Sequence, residues 1–409
     1  MKIRISPIIV AIFRFSILFE ILWGAHAWIT WQCDASKFSR YLTLFILCLI
    51  AFIYKKDRGV ILSKSKRVIS ALFLYCMGYW AVSRFSIGSL FGCFLTIYPM
   101  WVLLSDKHDP AEHLTFIVKI LSMILVIGIV QYLFLQVVRI PGLLISYKDN
   151  LNYTFFNYGF CLLPLKTFGE SFRFSSVFLE PGYMAAMLSF MLYAVKYDFS
   201  KRYNRILLYS LLLSFSLAGY LLFVVGYILY QSINGIKIVK YIGFALCLGL
   251  FYLVAINYND GDNLINEKIV KRLQPDEKKG IVGNNRTSDV TERYFRNGFK
   301  NGNNLLGLGL ARVKQINGGD SLEDGFSHDN INGTGYKYYI VVHGLVSALF
   351  FLFFYIKLGS FTYSNCRCRR YNIYLVVLVI LTFIQASYPS SPSWIYPIIL
   401  GLNGYKRIS

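Results

Sequence analysis

Charge is scarce in this chain. Lys, Arg, Asp and Glu make up 15% of its 409 residues, too few to clothe a soluble protein of that size. Acid is scarcer than base, at 21 residues against 42. Gly-rich phosphate loops are missing, which argues against a motor driven by cytosolic nucleotide. Internal repeats, low-complexity tracts and an appended soluble catalytic domain are also missing. The eight cysteines are scattered at positions 33, 48, 76, 93, 161, 247, 366 and 368. Most lie in apolar runs, where cysteine acts as a small hydrophobe. Cys366-Arg-Cys368 is the one close pair, and no second pair completes a zinc site. No disulfide framework, metal or cofactor is expected.

What is abundant is apolar. Hydrophobic residues reach 56% and aromatics 17%. They fall into long runs, the pattern of a polytopic membrane protein. The runs are 7–24, 41–54, 68–83, 88–105, 116–138, 176–195, 204–217, 219–233, 238–256, 336–357, 371–388 and 393–405. The expectation is therefore an all-α bundle of about twelve membrane helices. Those at 41–54, 204–217 and 393–405 are short for the roughly 20 residues of a straight span. The basic start, apolar stretch and Ala25-His26-Ala27 imitate a cleavable signal, but Arg14 and Glu20 interrupt it, so an uncleaved first span is expected.

The formal charge of +21 would suggest nucleic acid in a soluble protein. Here its distribution carries a different message. With the N-terminus in the cytoplasm, the inner loops hold Lys55, Lys56, Arg58, Lys64, Lys66 and Arg67, then Lys196, Lys201, Arg202 and Arg205, then Lys237 and Lys240, then Arg367, Arg369 and Arg370. The tail adds Lys406 and Arg407. The short outer loops hold little beyond Arg84. This is positive-inside asymmetry, with both termini cytoplasmic. The organisation expected is helices 1–5 over 1–138, an outer loop over 139–175, helices 6–9 over 176–256, a large outer loop over 257–335, and helices 10–12 over 336–409. The large loop balances eleven basic against eleven acidic residues. Loops of that length in compact proteins are functional or disordered. The spacing in Tyr294-Phe-Arg-Asn-Gly-Phe299 predicts a helix within it.

One run invites a chemical reading: Arg173-Phe-Ser-Ser-Val-Phe-Leu-Glu180-Pro181-Gly182, at the mouth of an apolar segment. Charge there is costly unless paired or used. Pro181 suits the first turn of a helix, so Glu180 alone reads as an interfacial cap. Arg173, beside a helix N-terminus, adds the elements of an anion site. In the large loop stand Arg286, Arg293 and Arg296, then Gly307-Leu-Gly309, then Phe326-Ser-His328-Asp329-Asn330. Singly, these read as salt-bridged arginines, a turn and a solvated histidine. The aromatics Tyr153, Phe155, Phe156 and Tyr158 of the first loop could line a sugar or lipid path or simply pack. Asp106-Lys-His108-Asp109-Pro110-Ala-Glu112-His113 imitates a metal cluster, but Asp109, Pro110 and Glu112 form a capping box.

Taken in order, an Arg, some twenty residues with aromatics, Gly-x-Gly, and Ser-His-x-Asn before a long span resemble the bacterial O-antigen polymerase and O-antigen ligase superfamily. The Arg173…Glu180-Pro-Gly run resembles the segment after that superfamily's middle periplasmic loop. Ser214-Phe-Ser216-Leu-Ala-Gly219 falls where the family has a Ser-Arg-Gly-like hairpin, and here the Arg is missing. The likeness spans roughly 170–350. It implies a GT-C-like bundle in the bacterial inner membrane, acting at its periplasmic face. The implied substrates are undecaprenyl-pyrophosphate-linked oligosaccharides, joined by metal-independent glycosyl transfer. A flippase and a chain-length regulator are the implied protein partners, alongside membrane lipids.

The residues suit that chemistry. A pyrophosphate leaving group without a metal needs guanidinium, which is always charged and offers bidentate donors; Arg173 and Arg286 are the candidates. The acceptor hydroxyl needs a base, for which His328 and Glu180 are candidates, His328 first. Polymerase is the leading expectation. The alternatives are a ligase moving polymer to lipid A–core, and a transporter or flippase. The last would string polar residues along mid-membrane helices, which this chain lacks.

Overall fold

The computed structural model describes residues 6–33, 37–106, 110–138, 140–148, 152–167, 172–233, 257–258, 263, 266, 270–271, 274–276, 280–281, 287–317, 330–331, 333, 335–360, 366–385 and 389–403. It is predominantly helical. In chain order come α1 (Ser6–Gly24), α2 (Trp28–Cys33), α3 (Lys37–Arg58), α4 (Lys66–Val82), α5 (Ile87–Ser105) and α6 (Pro110–Val137). A small antiparallel sheet follows, β1 (Leu143–Lys148), β2 (Asn152–Asn157) and β3 (Leu162–Pro164), in the order β1-β2-β3. Then come α7 (Pro181–Ala194), α8 (Arg202–Leu213) and α9 (Leu217–Ile233). Beyond the two-residue strands β4 (Pro275–Asp276) and β5 (Gly280–Ile281) lie α10 (Asp289–Lys300), α11 (Asn303–Leu306) and α12 (Leu310–Ile316). The chain closes with α13 (Tyr336–His343), α14 (Leu345–Gly359), α15 (Cys366–Gln385) and α16 (Pro392–Asn403).

Nearly every expected apolar run is a helix at the expected place. The run at 238–256 lies outside the described residues. The count of about twelve spans is not reached, however. Among the described residues three helices are long and apolar enough to cross a membrane, namely Pro7–Gly24, Ile87–Ser105 and Pro110–Val137. The pair α13 and α14, bent by 120°, makes a fourth if taken as one broken span. The shortfall is one of length. At 1.5 Å per residue, the 14 residues of α7 cover about 21 Å, well below the ~30 Å of a hydrocarbon core. The sheet is a second departure from an all-α expectation.

Both inside and outside are apolar, as suits a membrane protein. Phe13, Ile17 and Ile21 of α1 are fully buried, whereas Phe73, Phe91, Phe94, Val130 and Leu133 stand exposed on α4, α5 and α6. An apolar surface of that extent needs a non-aqueous neighbour. One of the three short runs, at 393–405, forms α16, the most enclosed of the described helices. Trp394, Ile395, Tyr396, Ile399 and Leu400 are all buried, and the helix contacts α1, α5, α6 and α7. A helix apolar all round belongs in a core.

The charges that interrupt α1 face the bundle. Glu20 is buried and accepts two bonds from the Arg40 guanidinium at 2.9 and 2.7 Å, while Arg40 lies 4.5 Å over the Trp23 ring. Arg14 donates from Nε to His113 Nδ1 at 2.9 Å and also pairs with Glu112 at 3.1 Å. Arginine has only protons to give, so His113 Nδ1 accepts and Nε2 carries the proton facing Asp106, 3.1 Å away. The Tyr54 hydroxyl donates to the same carboxylate at 2.7 Å. Asp106 and His113 are thus spent on a buried network between α1, α3 and α6. Asp109, the expected cap, lies outside the described residues. Ala25 and Ala27 are buried too, and α1 packs on α3 and α16 as an integral part of the bundle.

Candidate functional site

The Arg173-to-Glu180 run is a non-helical strap with a turn at Ser176–Val177, held by its backbone from four sides. The Phe172 carbonyl accepts from the Tyr132 hydroxyl at 3.0 Å and from Gln136 Nε2 at 3.3 Å, both on α6. Phe174 N–H donates to the Leu213 carbonyl at the end of α8, 3.2 Å away. The Ser176 carbonyl accepts from Leu162 N–H of β3, and the Val177 carbonyl from Trp28 N–H. Phe178 bridges to Ala27, and Leu179 N–H donates to the His26 carbonyl at 2.9 Å. Phe174, Val177, Phe178 and Leu179 are buried, so their side chains anchor what their backbones fix.

The strap descends along α6. Phe172 lies level with Tyr132 and Gln136, whereas Ser176 Oγ lies against Gly128. A Cβ at Gly128 would stand 2.6 Å from that oxygen and 2.7 Å from the Phe160 carbonyl, so only glycine admits the strap and the sheet there. Ser176 itself takes φ +51°, an uncommon left-handed conformation for a residue with a side chain.

Arg173 and Glu180 are the strap's partly exposed charges. Glu180 is the N-cap residue of α7 and Pro181 its first helical residue, as the sequence predicts. The Glu180 side chain makes no capping bond. The interfacial-cap reading therefore accounts for its backbone and not for its carboxylate. Sequence reasoning missed a neighbour. His26, at φ +54°, lies at the α1–α2 corner, and its ring sits 4.7 Å from that of Tyr183 in the first turn of α7. The available signal was the Ala-His-Ala step, which read only as an imitation of a signal cleavage site. The loop aromatics resolve toward packing. Phe155 and Phe156 are buried on opposite faces of β2, Phe155 with Leu162 and Leu179 and Phe156 in the main core, and Tyr158 donates to the Ile140 carbonyl. The side chain of Tyr153 lies outside the described residues.

The second half of the expected site is partly described. Ser288 caps α10, accepting from Thr291 N–H at 3.1 Å, with Asp289 and Glu292 in the first turn and Lys300 in the last, as the helix dipole favours. Arg286 and His328 lie outside the described residues. Their described neighbours are joined: Ser288 Oγ donates to the Asn330 carbonyl at 2.6 Å, and Thr287 bridges to Gly333. Asn317 clamps Ile331 through both of its amide atoms, at 3.1 and 2.9 Å. Arg296 pairs with Glu292, as read from the sequence, and Lys337 on α13 reaches the same carboxylate at 2.7 Å. Partial burial works to raise the Glu292 pKa. The bonds and charges of Lys337 and Arg296 outweigh it and hold the carboxyl below its ordinary value.

Gly307-Leu-Gly309 is more than a turn. The 120° break after His343 strands the last carbonyls of α13. Leu308 N–H donates to the Val341 carbonyl and Gly309 N–H to that of Val342, both at 2.8 Å. Gly307 and Gly309 have φ of +74° and +78°, and a Cβ on Gly307 would stand 2.5 Å from the Gly344 nitrogen. Arg84, the lone cation of its short loop, donates to the Gly307 carbonyl. Ser214 and Ser216 close the α8–α9 turn by capping it, with Gly219 pressed on Ala185.

Comparison of the chain with protein-family models, curated proteins and solved structures gives no match. The fold and the site stand on their own geometry.

Proposed function

We propose that this protein is a polysaccharide polymerase of the bacterial inner membrane, joining undecaprenyl-pyrophosphate-linked oligosaccharides at the periplasmic face. The observation that carries the reading is the strap. A strap pinned through its backbone places a guanidinium and a carboxylate, both partly exposed, at the start of α7 within a bundle of apolar helices. Charged groups set among apolar helices are a functional-site signal, and a guanidinium at a helix N-terminus suits a phosphate.

In the reaction, an acceptor sugar hydroxyl attacks the anomeric carbon of the donor. The bond from that carbon to the phosphate oxygen breaks, and the lipid pyrophosphate leaves with the electron pair. Arg173 and Arg286 stabilise the charge gathering on the leaving oxygens. The hydroxyl proton passes to His328 or Glu180. The pinning of the strap supports preorganisation, since a group fixed before the reaction needs no reordering during it.

The test is extension of a synthetic lipid-linked repeat unit by the purified protein. Arg173→Ala, Arg286→Ala and His328→Ala should each slow polymerisation by roughly 10²-fold or more, the scale seen when a preorganised charge-stabilising or acid–base group is lost. Full polymerisation by all three variants would dismiss the site. A deletion strain separates the ligase reading: single-repeat lipopolysaccharide marks a lost polymerase, whereas accumulating lipid-linked polymer marks a lost ligase.

A further inference from the structure

A cleft of about 500 Å³ opens between α10, α11, α12 and α13. Pockets of roughly 300–1,000 Å³ are the size that encloses small ligands. Its floor is apolar, from Leu308 on the glycine strap and Val341 on α13. Its rim is a stripe of one helix face. Arg293, Asn297 and Asn301 recur at intervals of four residues, which a helix stacks one above another. Asn303 faces them from the start of α11.

Two of the neighbouring polar groups are already spent. Asn304, nearly fully buried, donates to the Phe295 carbonyl at 2.6 Å and fills the space beside Gly298, which locks α11 onto α10. Arg296, on the outer face, pairs with Glu292. By contrast, among the described residues Asn297, Asn301 and Asn303 make no side-chain hydrogen bond, and Arg293 makes no ion pair. Among the described residues the lining contains no carboxylate.

We propose that this cleft is a saccharide subsite, seating one pyranose ring of the lipid-linked glycan. The proposal rests on the glycosyltransferase reading above and names where that substrate's sugar is gripped. A carboxamide donates and accepts at once, as does a sugar hydroxyl, so three carboxamides around one rim match a ring of hydroxyls. The apolar floor matches the C–H face of the ring. Tyr294, half-buried in the lining, adds a flat apolar wall. Arg293, the only charge among the described lining residues, favours a ring carrying a carboxylate.

Ligand-observed saturation-transfer NMR on the full-length protein in detergent tests this, with methyl glycosides of glucose, N-acetylglucosamine and glucuronic acid as probes. At least one probe should bind the wild type at millimolar concentration. The double variant Asn297→Ala/Asn301→Ala should weaken that binding about tenfold or more, as expected for two lost hydrogen bonds. Arg293→Gln should weaken the glucuronide alone or most. Both positions in the double variant are exposed, so unchanged thermal unfolding will show that the fold survives. Asn301→Trp, which fills the cleft without removing the helix, should abolish binding. No binding of any probe, or binding untouched by these variants, overturns the subsite. Binding as described by a protein that fails to extend lipid-linked repeats would uphold the subsite and overturn the polymerase reading.

Discussion

Gly128 shows how much a single hydrogen atom in place of a methyl can decide. The strap and the sheet reach α6 together at that residue, and a Cβ there would press on Ser176 Oγ and on the Phe160 carbonyl. The second of these is backbone and cannot swing aside. Gly128→Ala should destabilise the protein by about 1–3 kcal/mol, the cost of overpacking a filled site, with thermal unfolding as the measure. Because the displaced element carries Arg173, the proposed polymerisation should fall further than stability alone explains. Glu292 offers a second residue-scale expectation. Its carboxyl is held below its ordinary pKa, so its contribution is full above the unfolded value of about 4.3 and is lost as pH falls through the lower folded value. Amide exchange across α10 should therefore quicken below about pH 4.3, and Glu292→Gln should flatten that pH dependence. An unchanged acid profile in the variant would remove this ion pair from the account. Buried pairs act differently from such half-exposed ones. Breaking Glu20–Arg40 leaves one charge stranded in the bundle, a loss of about 3–5 kcal/mol in comparable pairs.

At the scale of elements, the glycine strap and the broken helix α13–α14 are one device. The break exposes carbonyls, and the strap's amides satisfy them. Gly307→Ala would meet both a left-handed backbone and the Gly344 nitrogen, so it should cost more than the ~1–3 kcal/mol of a strained φ alone. Increased proteolysis within 287–317, with the bundle helices still protected, is the readout; equal protection of both regions would deny the strap its role. These elements were unequally legible in the sequence. Hydrophobic runs located the helices closely, because apolarity is a local property that burial and lipid both demand. Pro181 marked the start of α7, and the spacing in 294–299 marked α10. The 120° break was hidden, since 336–357 reads as one apolar run and the amides that satisfy the broken turn come from Leu308 and Gly309, distant in sequence. The sheet of 143–164 was hidden for a similar reason. Phe155 and Phe156 could line a path or pack as far as the sequence told, and strand pairing places both in core.

For the molecule as a whole, the sequence separated charge from apolar surface but not inside from lipid. Both faces of α1 are apolar, so no periodicity told which would meet α3 and α16. Charge resolved some of this afterwards. Arg14 and Glu20 looked like interruptions and prove to mark the bundle-facing side of α1. Of the candidate site, the 173–180 half was legible because charge at a span's mouth is conspicuous. His26 was not, because its partner Tyr183 is more than 150 positions away. The cleft rim at Arg293, Asn297 and Asn301 was legible as a helix face but not as a cavity, which needs α11 and α13 to close it.

The descent of the strap along α6 has a consequence for where chemistry happens. From Gln136 to Gly128 is eight residues of helix, about 12 Å, and α7 begins only after that descent. At the lower level the strap turns, with Ser176 at φ +51° and Phe178 N–H donating to the Ser175 carbonyl, and it then meets the α1–α2 corner through Leu179 N–H and the His26 carbonyl before α7 begins. Non-helical backbone carried that far along an apolar helix is tolerated in a membrane protein where its polar groups are paired within the protein, as the Phe172, Ser176 and Val177 carbonyls are here. On the function proposed above, the polyprenyl chain of the substrate would stay in the lipid while its phosphates meet Arg173, held on backbone that is already paired.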